Sequence, residues 1–409
     1  MIPREALRLR RILYAGAFLR ALAIGMMAVL IGLYTARLGL SAGQIGAVLS
    51  SALWGAALAT LATLLAGPHF TQRVMLIVLC AVPVIGVVVL LSTDSFPVIA
   101  TAAFFGMLNV HGRDRGAIPI IEQELLPATA SEGSRTRAFA WYNVLLDAGY
   151  AAGGLLAALP AVFERALGMG TLESMRITLA LFAVLYVAAA LLYARIPARL
   201  PDAAPPVGLR GLSPASRPIV RKISLLFLVD AFGGGFIGSA LFAYFFAERF
   251  GASAAQVALL FAAGRVLSAL SHLAAAWLAK RIGLVNTMVY THIPSSLLLF
   301  TIVASDNFYI AAFLFLLREG LNEMDVPTRQ SYVMAVVRPE ERLAAAGVTS
   351  LVRSGGWAMA PVFAGMMMQV GGMGLPLVFA GVTKIAYDLL LWREFRKVKP
   401  PEEMVGAGD

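Results

Sequence analysis

Cysteine is almost missing from this sequence: Cys80 stands alone in an apolar run, so neither a disulfide framework nor a thiolate metal site can be built from it. Histidine is nearly as scarce. His69, His111, His272 and His292 lie far apart without metal-ligand spacing, and no metal or cofactor is expected. No Gly-x-x-x-x-Gly-Lys-Ser/Thr loop is available to cradle nucleotide phosphates, which excludes an ATP-driven pump. The largest deficit is charge. Asp, Glu, Lys and Arg make up 14% of the 409 residues, whereas soluble domains carry about 25%. With 59% hydrophobic residues and a mean hydropathy of +0.80, the chain reads as an integral membrane protein. A membrane enzyme such as an acyl or glycosyl transferase would need a nucleophile, a metal site or an Asp/His constellation near one face, and usually a sizeable loop domain. Neither is seen, so no catalytic residue is named and the chain is not read as an enzyme.

What the chain does have is apolar runs of about twenty residues, the length that crosses ~30 Å of hydrocarbon as a helix. Twelve are expected: Ile12 to Tyr34, Ile45 to Leu65, Val74 to Leu91, Val98 to Leu126, a fifth around Asp147, Ile177 to Ala194, Ile223 to Phe246, Val257 to Leu278, Thr287 to Val303, Phe308 to Val336, Ala344 to Val370 and Leu375 to Trp392. The net charge of +10 is explained by where the basic residues fall. Twenty-one Lys and Arg lie in the tails and alternate loops of one side, against Arg37, Arg165, Arg176 and Arg249 on the other. By the positive-inside rule both termini are cytoplasmic. The start, Met1 to Leu9, carries Arg4 and Arg8 without a small-residue cleavage site and reads as a cytoplasmic tail. The expected location is a bacterial plasma (inner) membrane, multi-pass; nucleic acid is not an expected partner.

The chain repeats itself. RLGLSAGQIG at Arg37 to Gly46 matches RFGASAAQVA at Arg249 to Ala258, with Arg, Gly, Ser, Ala and Gln identical in place. Gln123 matches Gln330, Arg135 matches Arg342, and Gly149 matches Gly356, all at an offset of 207. The division that follows is residues 1–194 and 223–396 as two six-helix bundles, 195–222 as a cytoplasmic linker rich in Pro, Arg and small residues, and 397–409 as a tail. The expected fold is therefore an all-α polytopic membrane protein with twelve transmembrane helices in two pseudo-symmetric bundles. Internal repeats of this kind mark secondary transporters, with the substrate site near the bilayer midplane.

Charges inside the spans single out functional candidates, because a charge in hydrocarbon costs a few kcal/mol or more. The densest stretch is Asn109 to Glu124, NVHGRDRGAIPIIEQE, echoed by Leu317 to Gln330, LREGLNEMDVPTRQ. Arg20, Arg113, Arg115, Arg265, Arg318 and Arg353 are candidates for binding an anionic substrate group, since guanidinium forks suit carboxylate and phosphate. Asp114, Asp147, Asp230, Glu319, Glu323 and Asp325 are candidates for proton coupling. Among them Asp230 and Asp147, lacking a basic neighbour in sequence, are the preferred carriers. Glu122 and Arg329, each just before its matched glutamine, are expected to pair as a cytoplasmic gate; pairing within each half, for instance Glu122 with Arg135 or Arg137, is the alternative. Lys384 and Asp388, four apart, read as a structural pair outside the site.

Twelve helices in two halves, cytoplasmic termini and a basic central loop resemble the major facilitator superfamily. LAKRIG at Leu278 to Gly283 is similar to its Gly-x-Leu-Ala-Asp-Arg-x-Gly-Arg-Arg loop, with Lys280 where the acid belongs; the first-half counterpart, LAGPHFTQR, has lost both the acid and the Arg. GYAAGGLLAA at Gly149 to Ala158 resembles the antiporter signature of the fifth helix, with Gly154 replacing its proline. The resemblance implies a monomeric secondary transporter in the lipid bilayer that moves a small molecule by alternating access, coupled to protons, with efflux favoured over uptake. Proton-coupled uptake of an anionic solute is the alternative, and a receptor or channel a more distant one.

Overall fold

The computed structural model describes residues 4–66, 70–108, 112, 114, 116–129, 135–197, 212–214, 216–325, 329, 332, 337 and 341–395, and among these the regular elements are all helical. In chain order they are α1 (Arg4–Arg37), α2 (Ala42–Ala66), α3 (Gln72–Leu91), α4 (Phe96–Phe105), α5 (Ala117–Leu125) with a following 3-10 turn, α6 (Arg135–Leu156), α7 (Leu159–Leu167), α8 (Thr171–Tyr193), α9 (Ser216–Gly235), α10 (Ser239–Phe250), α11 (Ala254–Ile282), α12 (Leu284–Ala304), α13 (Phe308–Asn322), α14 (Arg342–Gly371) and α15 (Leu375–Phe395). Eight described spans are long and apolar enough to cross a membrane. The fold is all-α and polytopic, with the twelve segments in two six-helix halves.

The repeat has a local physical cause at the starts of α2 and α11. Ser41 N–H donates to Gln44 Oε1 (2.9 Å) and Gln44 N–H to Ser41 Oγ (3.3 Å). Ser253 and Gln256 do the same at 2.9 and 3.2 Å. These are reciprocal capping boxes that satisfy N–H groups left over at a helix start. The turn before each box needs a left-handed residue, which Gly39 (φ +83°) and Gly251 (φ +64°) supply.

Two expected spans are broken. The fourth stops at α4 and restarts at α5, with Met107 at φ +48° and Gly112 at φ +76° in between. Asp114 lies in this break and pairs with Arg20 of α1. The seventh is divided into α9 and α10 at the run Gly233 to Gly238, where glycines weaken the helix. The linker is shorter than expected, because α9 begins at Ser216. Glu341 accepts from Ser213 N–H (2.6 Å) and from the Ser216 hydroxyl, and Val220 and Ile223 enter a core cluster with Phe227, Tyr387 and Leu391. The linker lacks apolar periodicity only upstream of this anchor.

By packing, the chain forms two compact units, one of Met1–Val207 with Gly238–Ala262 and one of Gly208–Ile237 with Ala263–Asp409. In the first, α1 is the central helix, packed by α6, α8 and α10, while α3 lies on α4 and α8. In the second, α9 is packed by α14 and α15, and α12 lies on α13 and α15. Glycines set the closest approaches. A Cβ on Gly149 would meet Ala21 Cβ at 2.6 Å and the backbone of Phe18 and Leu22, and one on Gly153 would meet Leu22 O at 2.0 Å. A Cβ on Gly356 would likewise meet Ala231 Cβ at 3.0 Å and the backbone of Leu228 and Phe232. Large apolar side chains such as Ile85, Val184, Leu191 and Phe313 stay exposed, as lipid-facing positions require.

Candidate functional site

Each unit carries a buried ionic network on its central helix. In the first unit Arg20, on α1, is fully buried (0% exposed). All three of its guanidinium nitrogens are engaged: Nε donates to the Tyr193 hydroxyl (3.0 Å), Nη1 to Asp114 and Nη2 to Glu122. Glu122, on α5 and equally buried, also accepts from Tyr193 (2.5 Å) and Tyr142 (2.7 Å). Asp114 is held from both sides, accepting from Gly116 N–H (3.1 Å) while its own N–H donates to the Tyr150 hydroxyl (2.7 Å). Gly16 makes room for the arrangement, because a Cβ there would strike the Tyr193 ring at 2.5 Å. A carboxylate with a cation and two hydroxyl donors is a satisfied buried anion, and removing the cation would leave it uncompensated.

The second network is built around Asp230 on α9, 3% exposed. Lys384 Nζ, from α15, donates to its Oδ1 (3.0 Å), and Arg353 Nη1, from α14, to its Oδ2 (3.0 Å). Arg329 Nη1 lies 3.5 Å from the same Oδ2 and is bound to Asp325. Lys384 Nζ also reaches His292 Nε2, on α12, at 3.0 Å, and His292 Nδ1 is bracketed by the two oxygens of Asp388 at 2.9 and 3.0 Å. Arg353 stacks on Trp357 (4.6 Å to the ring centre) and Phe227 (5.5 Å). Charges that would each be costly in hydrocarbon are thus kept by one another and by aromatic faces.

The structure places the expected site residues unevenly. Arg20, Asp114 and Glu122 meet in one network; Asp230, Arg353, Arg329 and Asp325 meet in the other. Arg318 and Glu319 bind each other on α13, with Asn322 also accepting from Arg318 (3.3 Å), and Glu323 caps that helix. Asp147 on α6 and Arg265 on α11 are half-buried. Arg113 and Arg115 lie outside the described residues. The partners in space go beyond the sequence neighbourhood. Arg20 has its donors engaged by Asp114, Glu122 and Tyr193. Glu122 and Arg329 each have a partner within their own unit, Arg20 and Asp325 respectively. Asp230 has no basic neighbour in sequence but three in space.

His292, Lys384, Asp388, Tyr142 and Tyr193 were not among the sequence candidates. Lys384 and Asp388 are a correction: expected as a pair along one helix, they meet instead at the two nitrogens of His292. The available signal was a polar ring inside an otherwise apolar ninth span and two ionisable groups four apart in the twelfth.

The sequence matches the Major Facilitator Superfamily over residues 13–361 and again over 223–407. The chain belongs to that superfamily. An uncharacterized membrane protein of Saccharomyces cerevisiae is 20% identical over 93% of this chain and 92% of its own length. Among solved structures the nucleoside transporter NupG superposes with a TM-score of 0.75 at 14% identity, covering 95% of this chain and all of that one (100%). A bacterial homologue of the iron transporter ferroportin gives 0.72 at 13% identity over 95% and 98%. The xylose transporter XylE from E. coli gives 0.72 at 12% over 98% and 99%. At these identities the superpositions show the superfamily's fold, and membership places the chain among transporters rather than enzymes. Within the superfamily's fifth helix, the glycines of GYAAGGLLAA have a packing role here, with Gly149 and Gly153 against α1. Gly283, closing the loop signature after α11, is needed at φ +85°.

Proposed function

We propose that the chain is a proton-coupled secondary transporter of a small organic solute, working by alternating access, with efflux by antiport as its direction. The observation that carries the reading is Asp230, a carboxylate buried in a membrane-spanning segment and linked through Lys384 to an imidazole–carboxylate pair. Packing alone gives no reason to place a titratable ring among such charges. A carrier does, because each cycle must take up a proton on one side and release it on the other. The direction rests on the resemblance of GYAAGGLLAA to the antiporter signature. The orientation proposed with it puts both termini in the cytoplasm of a bacterial cell, as the basic loops favour.

A second reading, proton symport of an anionic solute, is favoured by one feature. Lys384 and Arg353 converge on a single carboxylate, Asp230, and a solute carboxylate would suit the same two cations. Purified protein in liposomes with an imposed pH gradient tests both. Acid inside should drive solute accumulation for an antiporter, and acid outside for a symporter. Solute movement indifferent to the gradient in either sense would refute proton coupling.

A further inference from the structure

His292 is 1% exposed on α12, and both of its ring nitrogens are occupied. A carboxylate only accepts hydrogen bonds and an ammonium only donates them. Asp388 therefore accepts from Nδ1–H, and Lys384 donates to the Nε2 lone pair. The two partners fix the ring as its neutral, Nδ1-protonated tautomer. That lone pair is the one position where the ring can take a further proton, and Lys384 already holds it. Proton and ammonium are exclusive ligands of a single atom.

The surrounding groups make the exchange feasible. From α15 come Asp388, Lys384 and Tyr387, the last with its ring edge-on to the imidazole at 6.1 Å. From α9 comes Asp230, whose Oδ1 is 3.9 Å from Nε2; Arg353 and Arg329 stand behind it. The helix α13, also packed on α12, carries Arg318 and Glu319, which neutralise each other. Asp230, Asp325 and Asp388 stand against Lys384, Arg329 and Arg353, with Glu323 a further carboxylate near Arg329. A proton on Nε2 adds one positive charge, removes the Lys384 hydrogen bond and sets two cations face to face. Withdrawal of Lys384 relieves the repulsion, and Asp388 and Asp230 remain to hold the imidazolium.

We propose that His292 Nε2 is the proton-binding atom of this half and that Lys384 is a latch between α12 and α15 which the proton displaces. Protonation then loosens the contact of α12 with α15 and frees an ammonium, either to turn wholly to Asp230 or to meet an anionic group of the solute. The proton comes from water on the open side and leaves to water on the other; Lys384 keeps its own three protons throughout. Lys384 and Asp388 act through His292 as positioning residues. The inference rests on the proton-coupled reading, yet it is tested without any solute.

The test is a nitrogen-15 NMR titration of histidine-labelled full-length protein in lipid nanodiscs, with the His292 signals identified by their loss in His292→Gln. At alkaline pH the wild type should show Nδ1 protonated and Nε2 bare. Lys384→Met, which removes the competing cation, should tighten proton binding at His292 by about tenfold or more, and Asp388→Asn, which removes the imidazolium's counter-ion, should weaken it by a similar factor. An Nε2-protonated neutral tautomer, or a His292 titration unmoved by Lys384→Met, overturns the proposal. The tautomer reading does not need Lys384→Met, so it decides the matter if that variant does not fold. If the titration behaves as stated but no pH gradient drives transport, the proton site stands and the transport reading fails; the reverse pattern has the opposite meaning.

Discussion

Arg20 and Asp230 occupy equivalent positions in the two repeats and carry opposite charges. The glycine contacts set the register: Gly149 rests on Ala21 as its repeat mate Gly356 rests on Ala231, and Arg20 and Asp230 each come one residue earlier. Their partners are inverted as well. One cation is held by two carboxylates in the first unit, and one carboxylate is approached by three cations in the second. Glu122 and Arg329, themselves repeat mates, lie beside Arg20 and Asp230 respectively.

This inversion predicts which residues are energetically coupled. Arg20→Met strands two buried carboxylates and should cost on the order of 3–5 kcal/mol, read as a lower unfolding temperature in detergent. In double-mutant cycles Arg20→Met with Glu122→Gln, and Asp230→Asn with Arg329→Met, should each show coupling of about 0.5–3 kcal/mol. Glu122→Gln with Arg329→Met should be additive. Strong coupling in that last pair would support the gate across the halves.

For the second network, Asp230→Asn alone leaves Lys384 and Arg353 without their shared anion. It should destabilise the protein more than the combination Asp230→Asn with Lys384→Met, since a neutral pair is tolerated where an unpaired charge is not. Both variants should lose proton-driven flux. A double variant less stable than the single one would show that Lys384 is held chiefly by His292.

Neighbouring glycines on α6 should respond oppositely to alanine. Gly153→Ala drives a methyl into Leu22 O and should cost about 1–3 kcal/mol. Gly154→Ala meets nothing closer than 3.8 Å and should be neutral or gain about 0.5–1 kcal/mol from its better helix propensity. Thermal unfolding separates them. Loss of transport in Gly154→Ala with stability intact would instead argue for a hinge at that position.

Reporter fusions at Ala204 and at the C-terminus should both report cytoplasm, given the twenty-one basic residues on one side against four on the other. A periplasmic signal at either site would invert the proposed orientation.

The spans and the repeat are legible in the sequence because each depends on residues close in the chain. Arg20 and Asp230 were legible as costly charges in apolar runs, but their partners were not. Asp230 looked isolated because Arg353 and Lys384 are 123 and 154 residues away, and sequence neighbourhood says little about neighbourhood in a bundle. Tyr142 and Tyr193 carry no charge to mark them in the sequence, and only the fold turns their hydroxyls toward Glu122. His292 has no metal-ligand pattern around it in the sequence, and its partners are a carboxylate and an ammonium 96 and 92 residues on.

The reach of these ion pairs has a consequence for how the protein is made. A capping box closes within four consecutive residues, as soon as its segment leaves the ribosome. Arg20, however, is synthesised 94 residues before Asp114 and 173 before Tyr193. At about 5–20 residues per second, it waits roughly 5–20 s for its first counter-charge. Asp230 repeats the delay with the opposite sign, preceding Lys384 by 154 residues. During biogenesis the central helix of each half enters the membrane bearing an unneutralised charge, and the spans that arrive last complete the site.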